Sequence, residues 1–319
     1  MLYYIIQSIS FLIFIILSIA FFTLLERKVM SSIQRRKGPT VVGFFGILQP
    51  FADALKLLLK ELIYTSNSNI LIFFFSPIFT FICTLSMWLL IPLYPAHNLI
   101  ELPFSLLIIL AISSLSVHGI IFAGWSSNSK YAFLGSIRST SQMISYEISI
   151  STIYLSIIMI TGSFSISDII ISQESVWFIF PLFPLWILFI ISALAETNRS
   201  PFDLPEAEAE LVAGYNVEYS AIAFALFFLA EYGNIILMST LSSILFLGGW
   251  NIIFVNSEYI KMLIFSIKIT SQMFIFLWVR AAFPRYRYDQ LMKIGWTYLI
   301  PLTFSMLMTE ASLIITFAL

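Results

Sequence analysis

Eight long apolar stretches dominate the chain, and each is long enough to cross a membrane as a helix. They run over residues 2–25, 70–92, 102–125, 141–162, 176–195, 220–247, 259–280 and 296–317. The hydrocarbon core of a bilayer is ~30 Å thick, which a helix crosses in about 20 residues. Because a backbone in lipid must satisfy its own hydrogen bonds, each stretch is expected to be helical. We therefore predict an all-α fold: a single domain over residues 1–319, built as a polytopic bundle of about eight transmembrane helices.

The composition excludes several classes of protein. Charged residues make up 10% of the chain, against about 25% in soluble domains. One cysteine and two histidines are too few for several haems or for an iron–sulfur cluster, which takes about four ligands. There is no glycine-rich dinucleotide fingerprint, no P-loop and no basic domain for nucleic acid. We therefore expect no FMN, NADH, iron–sulfur cluster or metal ion on this chain, no catalytic nucleophile or redox centre, and no nucleic acid partner.

Basic residues are concentrated in the loops that follow the first, third, fifth and seventh stretches. Fourteen of the 16 lysines and arginines lie there or at the edges, whereas the opposite loops contain only Lys261. By the positive-inside rule, these four loops face the cytoplasm or the mitochondrial matrix. Residues 2–25 are too long for a signal-peptide core, and no transit peptide is visible. We expect a retained first span, with both termini on the side opposite the basic loops.

A second constraint is the segment of residues 196–219, which we call the acidic loop. It holds six of the 17 acidic residues of the chain, with a single base. These carboxylates are Glu196, Asp203, Glu206, Glu208, Glu210 and Glu218. The Asp203-x-x-Glu206 spacing predicts a short helix over about 205–213 that Gly214 ends. Neighbouring carboxylates repel one another, so protons or basic partners are expected to compensate them. A simple solvated loop is the alternative.

Residues 50–63 form a shorter amphipathic segment in the first basic loop. Its apolar residues fall at helical spacing, and Asp53, Lys56 and Glu61 take the other side. At about 14 residues the segment is too short to span the membrane and is typical of a helix lying at the interface. Such a helix either packs against the bundle or forms one wall of a lateral opening for a lipid-soluble ligand.

Ionisable residues inside the apolar stretches are Glu147, Glu231, Lys268 and Glu310. Each costs ~2.5–3.5 kcal/mol to insert, so each is expected to have a partner inside the bundle. Three interpretations remain open: ion pairs between these carboxylates and Lys268 or Arg280, a proton relay running from the acidic loop into the membrane, or a coordinated cation. The lone His118 is expected to be a hydrogen-bonded core residue.

Ten short motifs, taken in order, identify a family. They are Glu26–Lys28, Gln34–Pro39, Gln49–Lys56, Gly124–Tyr131, Ser145–Glu147, Ala195–Arg199, Pro201–Glu210, Asn216–Tyr219, Ala230–Tyr232 and Val279–Gln290. With them the chain resembles, over essentially its whole length, the subunit 1 family of the proton-pumping NADH:ubiquinone oxidoreductase (respiratory complex I), in its mitochondrial form.

The resemblance implies a location, a substrate and partners. The subunit would cross the mitochondrial inner membrane with its charged loops towards the matrix and both termini towards the intermembrane space. Ubiquinone would be the substrate, entering from the bilayer near the first span and residues 50–63. The partners would be the peripheral-arm subunits of the quinone site, the neighbouring small membrane subunits, the antiporter-like pumping arm and lipids. FMN, NADH and the iron–sulfur clusters would belong to partner subunits.

The resemblance also implies site residues. The quinone channel set is Arg27, Arg36, Asp53, Phe228 and Arg280. The proton pathway set is Glu147, Glu196, Asp203, Glu206, Glu208, Glu210, Glu218, Glu231 and Lys268. Structural or charge partners are Arg138, Arg199, Arg285 and Asp289. Since reduction changes the charge of a quinone, we hypothesise that the acidic loop shifts with the quinone state and passes charge to Glu147 and Glu231.

Other functions remain open. In a non-catalytic scaffold the acidic loop would only dock the peripheral arm, and substitutions there would lower assembly without changing turnover. A membrane subunit of a hydrogenase-type complex would use no quinone, and the close match in the first loop and residues 50–63 argues against it. A stand-alone transporter is disfavoured because the sequence shows no inverted repeat.

Overall fold

The computed structural model describes residues 2–65, 67–93, 102–203, 214–251 and 257–317. In this part of the chain every regular element is helical. The α-helices are α1 Leu2–Ile33, α2 Gln49–Leu59, α3 Ile70–Trp88, α4 Ser105–Ser126, α5 Lys130–Thr161, α6 Ile166–Ser172, α7 Phe183–Glu196, α8 Ala221–Leu247, α9 Glu258–Ala282, α10 Tyr288–Lys293 and α11 Ile300–Phe317. Within these ranges seven helices are long and apolar enough to cross a membrane. The predicted all-α polytopic bundle is confirmed.

Helix α1 continues well beyond the apolar stretch that predicted it. The stretch ends at residue 25, where Glu26, Arg27 and Lys28 begin, but the helix runs to Ile33. These are ordinary helix-forming residues, so the charges end the apolar surface without ending the helix. As a result Glu26 lies on a helix that is packed into the bundle, and it is buried.

The stretch of residues 176–195 differs most from expectation. Its helix, α7, covers only Phe183–Glu196, which is 14 residues or about 21 Å at 1.5 Å per residue. Turns occupy residues 178–182 before it. Proline is favoured in the first turn of a helix and disfavoured further inside. Pro184, the second residue of α7, therefore fixes where this helix begins.

The amphipathic segment forms a helix that ends four residues earlier than residue 63. Helix α2 ends at Leu59, and Lys60 is already extended, with φ −74° and ψ 140°. The chain then reaches the start of α8, where the Ile63 backbone N–H donates to Ser220 Oγ at 3.0 Å. The segment that follows α2 is therefore held by a contact made far along the sequence.

Helices α5 and α8 form the centre of the bundle. Helix α8 packs against α1, α3, α7 and α9, while α5 packs against α4, α7 and α11. The core between them includes Ile153, Phe189, Leu241 and Phe246, each at most 1% exposed. This arrangement brings the ends of α1, α7, α8 and α9 together on the side of the basic loops.

A close approach of two backbones fixes Gly214 against α5. A Cβ atom added to Gly135 of α5 would lie 2.8 Å from the Cα atom of Gly214. Gly214 has φ +58°, the left-handed conformation expected of a helix stop. The C-terminal helices α10 and α11 are joined by a π-turn over Ile294–Leu299, a feature frequent at functional sites.

Candidate functional site

A buried charge cluster lies where α1, α8, α9 and the loop after α7 meet. Glu26 Oε1 forms an ion pair with Arg280 and lies 3.7 Å from Nη1 of Arg199. Its other oxygen, Oε2, accepts a hydrogen bond of 2.6 Å from the Tyr232 hydroxyl. The Arg199 guanidinium also lies over the Tyr232 ring, with Cζ 4.3 Å from the centroid. One carboxylate thus contacts two arginines, and we call Glu26, Arg199, Tyr232 and Arg280 the Glu26 cluster.

Three residues of the Glu26 cluster, Glu26, Tyr232 and Arg280, line a cleft of about 470 Å³. The cleft is lined by Glu26, Arg27, Met30, Ser31, Arg36, Lys37, Gly38, Pro39, Tyr232 and Arg280. Three of the five predicted quinone-channel residues, Arg27, Arg36 and Arg280, therefore lie around one opening. The volume is within the ~300–1,000 Å³ typical of small-molecule sites. Four bases and one carboxylate in the lining give this cleft a positive potential.

The other two predicted quinone-channel residues lie beside the cleft. Asp53 on α2 accepts a hydrogen bond of 2.6 Å from Arg27 Nη1 and one of 3.0 Å from Gln49. Phe228 lies one turn before Tyr232 on α8, and their rings stack with centroids 6.3 Å apart. The structure therefore brings the whole predicted set to one end of the bundle, with α2 alongside it.

Two of the predicted pathway carboxylates share a small cavity inside the bundle. Glu196, at the end of α7, and Glu231, on α8, both line a space of about 30 Å³. Glu231 Oε1 accepts a hydrogen bond of 2.8 Å from the Tyr215 hydroxyl. Three buried acceptors in the lining, Glu196 Oε2, Asn198 Oδ1 and Asn234 Oδ1, have no hydrogen-bond partner among the described residues. A water molecule needs about 10–15 Å³ and two to four polar partners, which this cavity offers.

Glu147 lies next to this cavity on α5. It is half-buried, and its Oε1 accepts a hydrogen bond of 3.3 Å from Ser113 on α4. It is near enough to Glu196 for the two charges to interact. Glu147, Glu196 and Glu231 therefore lie on α5, α7 and α8, of which α7 packs against the other two.

The start of the acidic loop is fixed against the loop between α9 and α10. The Asp203 side chain is fully buried and lies 3.6 Å from Arg285 Nη2. Phe202 stacks on Tyr286, with centroids 5.7 Å apart. The end of the loop is fixed by the Tyr219 hydroxyl, which hydrogen-bonds Ser76 and Ser126 at 3.0 and 3.2 Å. Burial raises the pKa of Tyr219, so this anchor stays neutral.

Lys268 has partners other than the predicted carboxylates. Its Nζ donates to the carbonyl oxygens of Leu247, Gly249 and Asn251 at 2.6, 2.9 and 3.3 Å. It also lies 4.3 Å from the centroid of the Trp177 ring. A cation at the C-terminal end of α8 is stabilised by the helix dipole and the free carbonyls. An ion pair of Lys268 with Glu147 or Glu231 was one of the three interpretations left open by the sequence, and the structure instead places backbone carbonyls around this ammonium group.

The remaining predicted residues are distributed around the site. Arg138 on α5 lies over the Tyr288 ring at 5.8 Å. Asp289 is in the first turn of α10, where a negative charge interacts favourably with the helix dipole. Glu218 is half-buried in the turn before α8, and Glu310 is half-buried on α11. Glu206, Glu208, Glu210 and the predicted helix over 205–213 lie outside the described residues.

The sequence did not indicate the role of Glu26, and the position expected of His118 differs from that in the structure. Glu26 was not predicted because it follows the apolar stretch, although the Glu26–Lys28 motif contains it. His118 is exposed on the outer surface of α4, so the prediction of a core residue is wrong: its helical position faces away from both α3 and α5. Within the described ranges, no group of three or more His, Cys, Asp or Glu side chains could hold a metal ion.

Comparisons with known proteins agree with the ten motifs. The sequence profile of a family described as NADH dehydrogenase matches residues 6–311. NADH-ubiquinone oxidoreductase chain 1 of Chondrus crispus is 52% identical over 318 residues, covering 98% of this chain and 97% of that protein. The protein of that name in Arabidopsis thaliana is 54% identical over 306 residues, covering 95% and 94%. A bacterial relative, a subunit of the NADH-quinone oxidoreductase of Paramagnetospirillum magneticum, is 52% identical over 315 residues, covering 98% and 92%.

Proposed function

The chain belongs to the NADH dehydrogenase family and is a core membrane subunit of NADH:ubiquinone oxidoreductase. We propose that it forms the path of ubiquinone and couples quinone reduction to proton transfer. One observation carries the proposal. Glu26 lines the cleft of about 470 Å³, and it also contacts Arg199, which lies in the loop directly after Glu196. A ligand site and a series of buried carboxylates therefore meet through a single network of charges.

The cleft suits the headgroup of a quinone. Its bases offer hydrogen-bond donors to carbonyl oxygens, and their positive potential favours the negative charge that reduction places on those oxygens. The aromatic rings of Tyr232 and Phe228 offer an apolar surface beside the bases. Helix α2, with its exposed Leu55, Leu58 and Leu59, lies at the same end of the bundle and suits entry from the lipid.

The carboxylate series suits proton transfer. Glu196 and Glu231 face one cavity with room for about one or two water molecules, and Glu147 lies next to them. In an interior of low dielectric, neighbouring carboxylates share protons, and their proton occupancy responds as a unit to a change in nearby charge. Arg199 connects the cleft with the carboxylates, because it contacts Glu26 and follows Glu196 by three residues. Lys268 lies at the other end of α8 and is assigned to this pathway only by the resemblance.

The assembly and location extend the same proposal. Residues 201–203, at the start of the acidic loop, contact Arg285 and Tyr286 on the basic side of the bundle, which suits docking of the peripheral-arm subunits of the quinone site. The outer faces of the helices suit lipids, small membrane subunits and the antiporter-like pumping arm. We place the chain in the mitochondrial inner membrane, with the basic loops towards the matrix and the termini towards the intermembrane space. FMN, NADH and the iron–sulfur clusters belong to partner subunits.

Replacing Arg36 tests the quinone cleft. In the assembled enzyme, we expect Arg36→Ala to raise the apparent KM for ubiquinone about three- to tenfold, since a hydrogen bond from a charged donor contributes about 1.5–3 kcal/mol and exposure lowers that. Electron transfer from NADH to an artificial acceptor should not change, because it bypasses the cleft. Steady-state kinetics with a short-chain ubiquinone would measure both values.

Arg35→Ala is the matched control for this experiment. Arg35 is the neighbouring arginine, also exposed and outside the lining of the cleft. Equal effects of the two substitutions on the quinone KM would contradict the proposal, because they would reflect only the loss of a surface charge.

A further inference from the structure

His118 is a polar side chain on the outer surface of a membrane helix. It lies 13 residues after the start of α4 and eight before its end, which places it about 12 Å from the nearer end. The ring is therefore within the hydrocarbon region. Polar residues at such depth normally face the interior of a bundle or a polar partner, because lipid offers no hydrogen bonds.

The neighbours of His118 on α4 leave it facing outwards. On one flank Gly119 lies against Thr80 of α3, and on the other Gly124 lies against Ser136 of α5. His118 is in the middle of the free face between these flanks. The exposed side chains one, two and three turns away on that face, Leu115, Trp125 and Leu107, are large and apolar.

The hydrogen bond that the His118 ring makes determines which of its two nitrogen atoms remains an acceptor. His118 Nδ1 lies 3.3 Å from the carbonyl oxygen of Ser114, one turn earlier on α4. A carbonyl only accepts, so the tautomer that makes this bond carries its proton on Nδ1. Nε2 is then a hydrogen-bond acceptor on an exposed side chain. His118 therefore presents a hydrogen-bond acceptor about 12 Å from the nearer end of α4, among apolar side chains.

We propose that this face of α4 is an interface for a transmembrane helix of another subunit, which donates a hydrogen bond to His118 Nε2. The partner residue that fits is a hydroxyl or amide donor, such as serine, threonine, tyrosine, asparagine or glutamine. The partner helix packs on Leu115 and Leu107, and the single polar contact sets its register and depth. Hydrogen bonds between membrane helices contribute about 0.6–1.7 kcal/mol, enough to fix a position without dominating affinity.

Three substitutions in the assembled enzyme test the interface. His118→Leu removes the acceptor and keeps an apolar side chain, His118→Gln keeps an acceptor near the position of Nε2, and Leu115→Ala trims the same face without touching the polar contact. The isolated enzyme is titrated with detergent, and mass spectrometry follows which integral membrane subunits leave it. We expect His118→Leu to release one membrane subunit about three- to tenfold more readily than the unaltered enzyme. His118→Gln should retain most of that subunit.

Two results would overturn the interface. If His118→Leu retains every membrane subunit as firmly as the unaltered enzyme, the ring faces lipid. If Leu115→Ala releases the same subunit as readily as His118→Leu, and His118→Gln does not restore it, packing alone holds that surface. Subunit retention is measured apart from quinone reduction, so a failure of this interface and a failure of the proposed quinone path are distinguishable.

Discussion

We expect the Glu26→Ala enzyme to lose nearly all ubiquinone reduction, by at least about a hundredfold, and to assemble poorly. Removing one partner of a buried ion pair leaves an uncompensated charge and costs about 3–5 kcal/mol. Here the Glu26 carboxylate contacts both Arg199 and Arg280, so its loss removes the ion-pair partner that the two guanidinium groups share. The cleft loses its shape, and the loop leading to Glu196 loses its anchor. NADH:ubiquinone activity per assembled enzyme, quantified on native gels, is the measurement.

Two substitutions serve as controls for Glu26→Ala. Tyr232→Phe removes one hydrogen bond to Glu26 and no charge, so it should cost much less than Glu26→Ala. Glu61→Gln changes an exposed glutamate on the same side of the bundle and should leave activity near normal. A Glu26→Ala enzyme that assembles and reduces ubiquinone at the normal rate would show that the Glu26 cluster is not needed to shape the cleft.

The second large effect is expected at Glu196. Glu196→Gln keeps the size of the side chain but can no longer exchange a proton with the cavity it shares with Glu231. Positioned proton transfer commonly contributes about 10²–10⁴ in rate, so we expect at least a tenfold loss of pumping-coupled turnover. The number of protons translocated per electron should fall as well. Both quantities are measured in sealed membranes, as the rate of NADH oxidation and the extent of proton uptake.

Glu174→Gln is the control for Glu196. Glu174 is exposed, in the segment between α6 and α7, and its substitution should change neither quantity. Glu147→Gln should act in the same direction as Glu196→Gln, since the two charges interact. If Glu196→Gln and Glu147→Gln both keep the normal ratio of protons to electrons, the carboxylate series is structural.

The fold was predictable from the sequence because lipid leaves a long apolar stretch few alternatives to a helix. The helix ends were less predictable. Helix α1 passes through Glu26 because charged residues are compatible with a helix. The chain after α2 is held by a hydrogen bond from Ile63 to Ser220, a contact that no local pattern predicts. The proline near the start of α7 was visible in the sequence, and it explains why that helix is short.

The site was predictable only in part, because partners are a property of the packing. The motifs pointed to Arg27, Arg36 and Arg280, and the structure brings them to one cleft. No spacing rule pairs Lys268 with the carbonyls at the end of α8, since that contact requires the angle between α8 and α9. The direction of His118 likewise follows from which faces of α4 pack against α3 and α5.

The most direct test of the account is to label the assembled enzyme with a photoreactive ubiquinone and map the adducts by mass spectrometry. We predict adducts on this chain within residues 27–39 or close to Tyr232 and Arg280, and a large decrease when excess unlabelled ubiquinone competes. The Arg36→Ala enzyme should show weaker labelling than the Arg35→Ala enzyme. Competable adducts found only on other subunits, or on this chain only at helix ends away from the basic loops, would contradict the claim that this cleft is the quinone path.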